Sequence, residues 1–428
     1  MLKIALSGAP GAVIAAQPPS RAPLPPIHPL GAVVARSTEQ LGNLPAAVLL
    51  RDGRVLAYDG RARRVVMFDP SLGHAKTVID STTPRTGSRT VGPPFATLIA
   101  LPGDSAALLE ASSGSLIVID PAGTVARTAV LQSTALTFAA AAAAPKPMVD
   151  ARGRLLFRAP PPFFLSMLPD GYVGDTIIAG PDSFPLLRFD PATTRTDTVV
   201  MVRAPRIRQA VTKRERGGRG ASALDPVPSG GDDWVQLADG TIAIVRIDDY
   251  HVDWLRPNGT VTRGPPVAHE WSAITDSMKV ALVAAARAAM GAARADSLFP
   301  IDSARYDSLA LVAAANPDAI VGPDGRRTAL GPAPQRVHFV SPGDLPGHWP
   351  PFTSGGTVAD VDGTLWVQAF PVTKPGGGQV YDVIAPTGVL ADRVELPAGA
   401  ALLGVAHGVA LLRVRTPAGA ALATARMP

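Results

Sequence analysis

An apolar run, a glycine-containing turn and a second apolar run recur six times along this chain, and that recurrence constrains its fold more than any single propensity. The copies are Ala46 to Tyr58 around Asp52-Gly53, Ala96 to Leu109 around Gly103-Asp104, and Met148 to Phe157 around Arg152-Gly153. Three more follow: Trp234 to Val245 around Asp239-Gly240, Thr357 to Val367 around Asp362-Gly363, and Ala401 to Val414 around His407-Gly408. Asp-Gly between apolar runs is a strong hairpin signal, because primed turns need positive φ and glycine supplies it without steric penalty.

A second motif follows each of the first five: an apolar strand closed by proline, a short turn, and another strand. It occurs at Val65 to Pro70, Leu116 to Pro121, Leu186 to Pro191, Val252 to Pro257 and Tyr381 to Pro386. Proline presets φ at a turn and cannot donate into a ladder, so it marks strand ends. Each unit is then four antiparallel strands over roughly 40 to 50 residues, the size of a propeller blade. The sixth unit has a third strand, Ala420 to Arg426, and stops at Pro428 without a fourth. The β-prone segment Leu30 to Ser37 can supply it, which would close the ring and leave no exposed edge.

On these turns the chain resembles the six-bladed NHL-like and TolB-like propellers common among exported bacterial proteins, over Leu30 to Pro428. The resemblance implies an all-β ring of four-stranded blades and is silent on function. The rivals are a pair of β-sandwiches, or a seventh blade hidden in 268–352. That interval instead reads as a helical insertion between blades 4 and 5. Asp276 to Ala295 is rich in Ala and poor in Gly, with Met278, Leu282, Ala285, Ala289 and Ala293 at helical spacing, and Ser303 to Ala315 reads as a second helix.

Residues 1–29 read as a signal-peptide-like segment followed by a Pro-rich linker: Lys3, a small apolar stretch to Ala15-Ala16, then Pro-rich sequence to Pro29. The expected location is periplasmic or secreted. No other apolar run is long enough for a transmembrane span. With no cysteine, disulfides, thiolate metal sites and Cys nucleophiles are excluded.

The formal charge of +5 is concentrated between Arg203 and Arg219, leaving the rest of the chain close to neutral. This Gly/Arg stretch carries no interleaved aromatics, so it reads as a solvated loop, with no nucleic-acid partner expected. An association with an anionic surface or membrane complex through 203–219 is the other reading of its charge.

No G-x-S-x-G elbow, P-loop or dinucleotide fingerprint is present, and the histidines show no metal-ligand spacing. Calcium-dependent lactonases on similar propellers need inward Glu, Asp and Asn, whereas this chain has three Asn and inner strands that are apolar apart from Asp150 and Asp360. No cofactor, metal ligand set or catalytic residue is therefore assigned.

The unusual sequence falls on one rim, in blade-to-blade connections and in the excursion from Pro160 to Ser183. Binding residues concentrate on loops held by a rigid scaffold, so this rim is the candidate surface for a protein or peptide partner. Its candidate residues are Arg85, Arg89, Phe163, Phe164, Arg206, Arg208, His269, Trp271, His348 and Trp349. The last four are expected to bracket the insertion where it leaves and rejoins the ring. The leading reading is a non-catalytic exported propeller that binds a protein, peptide or envelope component, as an accessory subunit of a larger assembly. The alternative is a hydrolase or lyase at the channel mouth, using Asp360, Asp150, His269 or arginines.

Overall fold

The computed structural model describes residues 23–427 apart from 81–95, 102, 111–114, 131–146, 151, 160–166, 171, 206–207, 215–216, 225–226, 228–229, 291–319, 322–326, 329–337, 340 and 371–376. Six four-stranded antiparallel units appear in chain order. Blade 1 is Ala46–Leu49, Val55–Asp59, Arg64–Phe68 and Ala75–Ile79; blade 2 is Ala96–Leu101, Ser105–Glu110, Ser115–Ile119 and Val125–Val130. Blade 3 is Met148–Val149, Leu155–Arg158, Ser183–Asp190 and Arg195–Arg203; blade 4 is Asp233–Gln236, Ile242–Arg246, His251–Leu255 and Val261–Pro266. Blade 5 is Val358–Ala359, Leu365–Gln368, Val380–Ile384 and Leu390–Glu395, and blade 6 begins with Ala400–Ala406, Val409–Thr416 and Gly419–Arg426.

Blade 6 takes its outer strand from the beginning of the chain. Val33–Arg36 pairs antiparallel with Gly419–Arg426, placing Val33 opposite Ala425 and Arg36 opposite Ala423. Just before it, Ile27–Pro29 runs parallel to the outer strand of blade 5, with Ile27 opposite Arg393. Between these pairings the chain crosses from one blade to the next at Gly31, where a Cβ would lie 2.5 Å from the Arg426 carbonyl oxygen. Only glycine fits so close an approach.

The core is divided into wedges between neighbouring blades. Leu98, Leu108 and Ile117 of blade 2 pack on blade 1, while Ile99, Leu109, Leu116 and Val118 pack on blade 3. Successive strand residues point to opposite sheet faces, so a blade buried on both faces needs a continuous apolar run. Equivalent wedges join blades 3 and 4, 4 and 5, 5 and 6, and finally 6 and 1, where Leu411 and Leu422 meet Val55 and Phe68. The six turn glycines Gly53, Gly103, Gly153, Gly240, Gly363 and Gly408 all adopt positive φ, from 75° to 86°.

The basic stretch expected to be a loop is instead a hairpin: Arg208–Arg214 pairs antiparallel with Gly217–Leu224. Its pattern carries no apolar alternation, and its partners come from elsewhere. Gly174–Ala179, from the blade 3 excursion, pairs with the first strand, and His338–Phe339, from the insertion, pairs in parallel with the second. Three separate insertions thus form one further four-stranded sheet.

The helix expected from Asp276 is present as Asp276–Met290. Thr275 caps it, its Oγ1 accepting from the Met278 N–H at 3.3 Å. Lys279, Leu282, Val283 and Ala286 face inward at helical spacing, and the last three pack with Leu345 and Trp349. The second expected helix, Ser303 to Ala315, lies outside the described residues.

Candidate functional site

Antiparallel order puts the first-to-second and third-to-fourth turns on one face of the ring. The opposite face receives the second-to-third turns and the blade-to-blade connections. All three insertions that build the added sheet emerge on this second face, between blades 3 and 5. The first face carries tight turns closed by side chains. In one of them Asp150 accepts from the Arg152 and Arg154 N–H groups, both at 2.9 Å, and pairs with the Arg154 guanidinium at 2.7 Å.

The insertion leaves and rejoins the ring through a short antiparallel stem. Ile274 N–H donates to the Gly347 carbonyl at 2.8 Å, Trp349 N–H donates to that of Ser272 at 3.0 Å, and Ala273 bridges His348. An aromatic series runs along this stem. Tyr250 meets His269 edge-on at 5.7 Å between centroids, His269 meets Trp271 at 5.4 Å, and Trp271 meets His348 at 6.2 Å. Trp349 stacks on Phe370 at 5.4 Å. The geometry brings these four candidates into one cluster at the root of the insertion, with His348 exposed and the other three half-buried. Arg208, also half-buried, reaches Asp344 of the insertion at 3.3 Å. Arg85, Arg89, Phe163, Phe164 and Arg206 lie outside the described residues.

Two groups at the junctions of blade 4 escaped the sequence reading. The first is an alternating charge cluster beside blade 3, lining a depression of about 510 Å³. Arg246 contacts Asp232 at 2.7 Å and Asp253 at 2.8 Å, while buried His251 sits between Asp249 at 2.6 Å and Asp253 at 3.1 Å. Arg203 pairs with Asp248 and Arg263 with Asp249. Each cation here has a carboxylate, so the cluster clamps the blades together. The second is a buried chain toward blade 5: the Tyr250 hydroxyl donates to Asp382 at 2.8 Å, and Arg393 Nε donates to the same carboxylate at 3.1 Å. Burial pushes both the Tyr250 hydroxyl and the Asp382 carboxyl above their ordinary values. The run Asp248 to Asp253, which enters the third strand of blade 4 and carries Asp248, Asp249, His251 and Asp253, was the available signal for both groups.

A cavity of about 520 Å³ lies on the axis, bordered by residues of all six innermost strands or their entrances. Its lining is mainly apolar. Asp233 is the carboxylate of this wall and is fully committed: it accepts backbone N–H groups from Trp234, Gly355 and Thr357, each at 2.9 Å. Burial nevertheless pushes its carboxyl up, against the opposing pull of those hydrogen bonds. Asp360 belongs to a hairpin turn of blade 5 on the far face, accepting from Val361 N–H at 2.6 Å. Asp150, Asp360 and His269 are therefore not brought to one site. Among the described residues no three His, Asp or Glu side chains are grouped to hold a metal ion, and no helix is long and apolar enough to cross a membrane.

Fold and surface together define a six-bladed β-propeller with its insertions gathered on one face. No family model matches the chain, and no curated protein matches it in sequence. Solved structures similar to it include a calcium-binding regucalcin from Agrobacterium tumefaciens, at 9% identity and TM-score 0.41, covering 94% of this chain and 96% of that one. Virginiamycin B lyase from Staphylococcus aureus is similar at 10% identity and TM-score 0.37, covering 92% and 98%. A putative gluconolactonase is similar at 11% identity and TM-score 0.38, covering 94% of each chain. The architecture assigned here rests on the strand pairing.

Proposed function

We propose that this protein is a non-catalytic exported propeller, of the NHL-like or TolB-like kind, whose insertion-bearing face binds a protein, peptide or envelope component within a larger assembly. One observation carries the reading. Three insertions far apart in sequence pair into a common sheet on one face, whereas the other face is closed by short turns. Ordering such segments costs about 1–2 kcal/mol per residue, so an accessory sheet that contributes nothing to ring closure points to a surface with a use. The N-terminal pattern up to Pro29 supports export.

The test is in-cell photo-crosslinking from the full chain, with the photoreactive residue placed at Met278 on the insertion or at Val389 in a far-face turn of blade 5; both are exposed. The reading expects a discrete adduct from position 278 and none from 389. Equal adducts from both positions, or none from either, would count against it.

A further inference from the structure

The half-buried arginines Arg64, Arg154, Arg246 and Arg393 each lie within salt-bridge distance of at least one carboxylate. Arg413 differs. Among the described residues its guanidinium makes one hydrogen bond, Nη1 donating to the Leu44 carbonyl oxygen at 3.2 Å, and reaches no carboxylate. It sits on the second strand of blade 6, two residues from exposed Arg415, so both side chains leave the same face of that strand.

Arg413 borders two cavities. One is the axial cavity; the other, of about 320 Å³, lies at the junction of blades 5, 6 and 1. The smaller one is walled in part by Gly42, Gly377, Gly399 and Gly419 together with both arginines, and no Asp or Glu lines it. Gln379 and Ala401 also border both cavities. Tyr381, on the axial side, has its hydroxyl pushed up to about 12, chiefly by burial, with Arg413 among the influences opposing that rise. At neutral pH that hydroxyl is protonated, and it donates to Gln379 Oε1 at 3.4 Å.

We infer that the axial cavity takes a small ligand with an apolar body and one carboxylate, the carboxylate held by Arg413. An uncompensated cation in a partly desolvated wall favours an anion, and a carboxylate matches one guanidinium in charge and in its two coplanar oxygens. Val48, Leu98, Ile99 and Leu402 border the remainder of the cavity, which suits an apolar body. Its size falls within the roughly 300–1,000 Å³ typical of small-molecule sites. A free alkanoic acid and the C-terminus of a short apolar peptide share this chemistry. The site deepens the binding reading but lies away from the insertions, so the two fail separately.

Calorimetric titration of the full chain tests it with two acid and amide pairs: octanoate against octanamide, and acetyl-trileucine as free acid against its amide. Binding of either acid at least about tenfold tighter than its amide, with that preference lost in Arg413→Gln, supports the site. Octanoate alone would identify a free acid, the tripeptide alone a peptide terminus, and both would fit the shared chemistry. No acid binding at millimolar concentration, an amide that matches its acid, or a preference that survives Arg413→Gln would overturn the inference. Should Arg413→Gln fail to fold, Ala401→Leu fills space beside the guanidinium without removing it. Acid binding then drops at least about tenfold, and unchanged binding overturns the proposal. Acid binding that fails while the insertion still crosslinks a partner would sink this site alone.

Discussion

Replacing Asp233 tests how the first strand of blade 4 is locked to the entrance of blade 5. Its carboxylate accepts three backbone N–H groups, two of them from residues more than 120 positions away. In Asp233→Ala all three donors lose their acceptor. An unsatisfied buried donor costs about 1–3 kcal/mol. Water from the adjoining axial cavity can reach part of the site, and removing a buried charge offsets some of the loss. Gly355 is exposed, so the donors of Trp234 and Thr357 are the two left buried, and the net destabilisation works out at about 2–6 kcal/mol. Asp233→Asn behaves differently, because its amide can rotate so that the oxygen faces Gly355 and Thr357, leaving one donor unmet. That variant should lose about 1–3 kcal/mol.

Urea unfolding followed by tryptophan fluorescence measures both variants, since Trp234 is adjacent and fully buried. The pH dependence has a definite sign. Asp233 binds its proton more tightly in the folded chain than the ordinary carboxyl at 3.8, so its contribution to stability falls as pH rises from about that value through the raised one. Stability of wild type relative to Asp233→Asn therefore declines over that window. An alanine variant within 1 kcal/mol of wild type, or an asparagine variant as costly as alanine, would refute the reasoning.

Other perturbations follow from the same geometry. Tyr250→Phe removes a hydrogen bond to Asp382 and costs about 1–3 kcal/mol at neutral pH. Because it raises the Asp382 carboxyl further, the difference from wild type in denaturant melts widens with rising pH; a pH-independent difference would contradict the assignment. Arg246→Ala leaves Asp232 and Asp253 without their shared guanidinium and costs about 3–5 kcal/mol, checked by chemical denaturation. Trp349→Ala removes the stack on Phe370 and contacts to the insertion helix, so limited proteolysis should cut near 276–290 faster while global unfolding changes little.

The ring was legible because its information is local. Glycines such as Gly53 and Gly240 must adopt positive φ for their hairpins, and prolines such as Pro70 and Pro257 end strands whatever lies beyond them. Closure by Val33–Arg36 followed from counting strands. The parallel pairing of Ile27–Pro29 did not, since parallel partners share no turn. The hairpin Arg208–Leu224 has the sequence of a loop because Arg, Gly and Lys give it no strand period, and its pairing partners lie in separate insertions. At the candidate site, the pairing of His269 and Trp271 with His348 and Trp349 was visible as two similar clusters flanking a helical interval. The Asp233 lock was not, because nothing near Asp233 in sequence names Gly355 or Thr357; the Arg246 clamp had only the polar run Asp248 to Asp253 as its sign.

The closed ring depends on the chain's beginning completing its last blade, and the natural lack of cysteine makes a direct test available. Ala35 and Thr424 are opposed in the antiparallel pair. In the double variant Ala35→Cys, Thr424→Cys, mild oxidation should give a monomeric intramolecular disulfide, found by peptide mass mapping. It should stabilise the chain by at most about 6 kcal/mol from loop entropy. Thiols that stay free, or that link only between molecules, would contradict the closed ring.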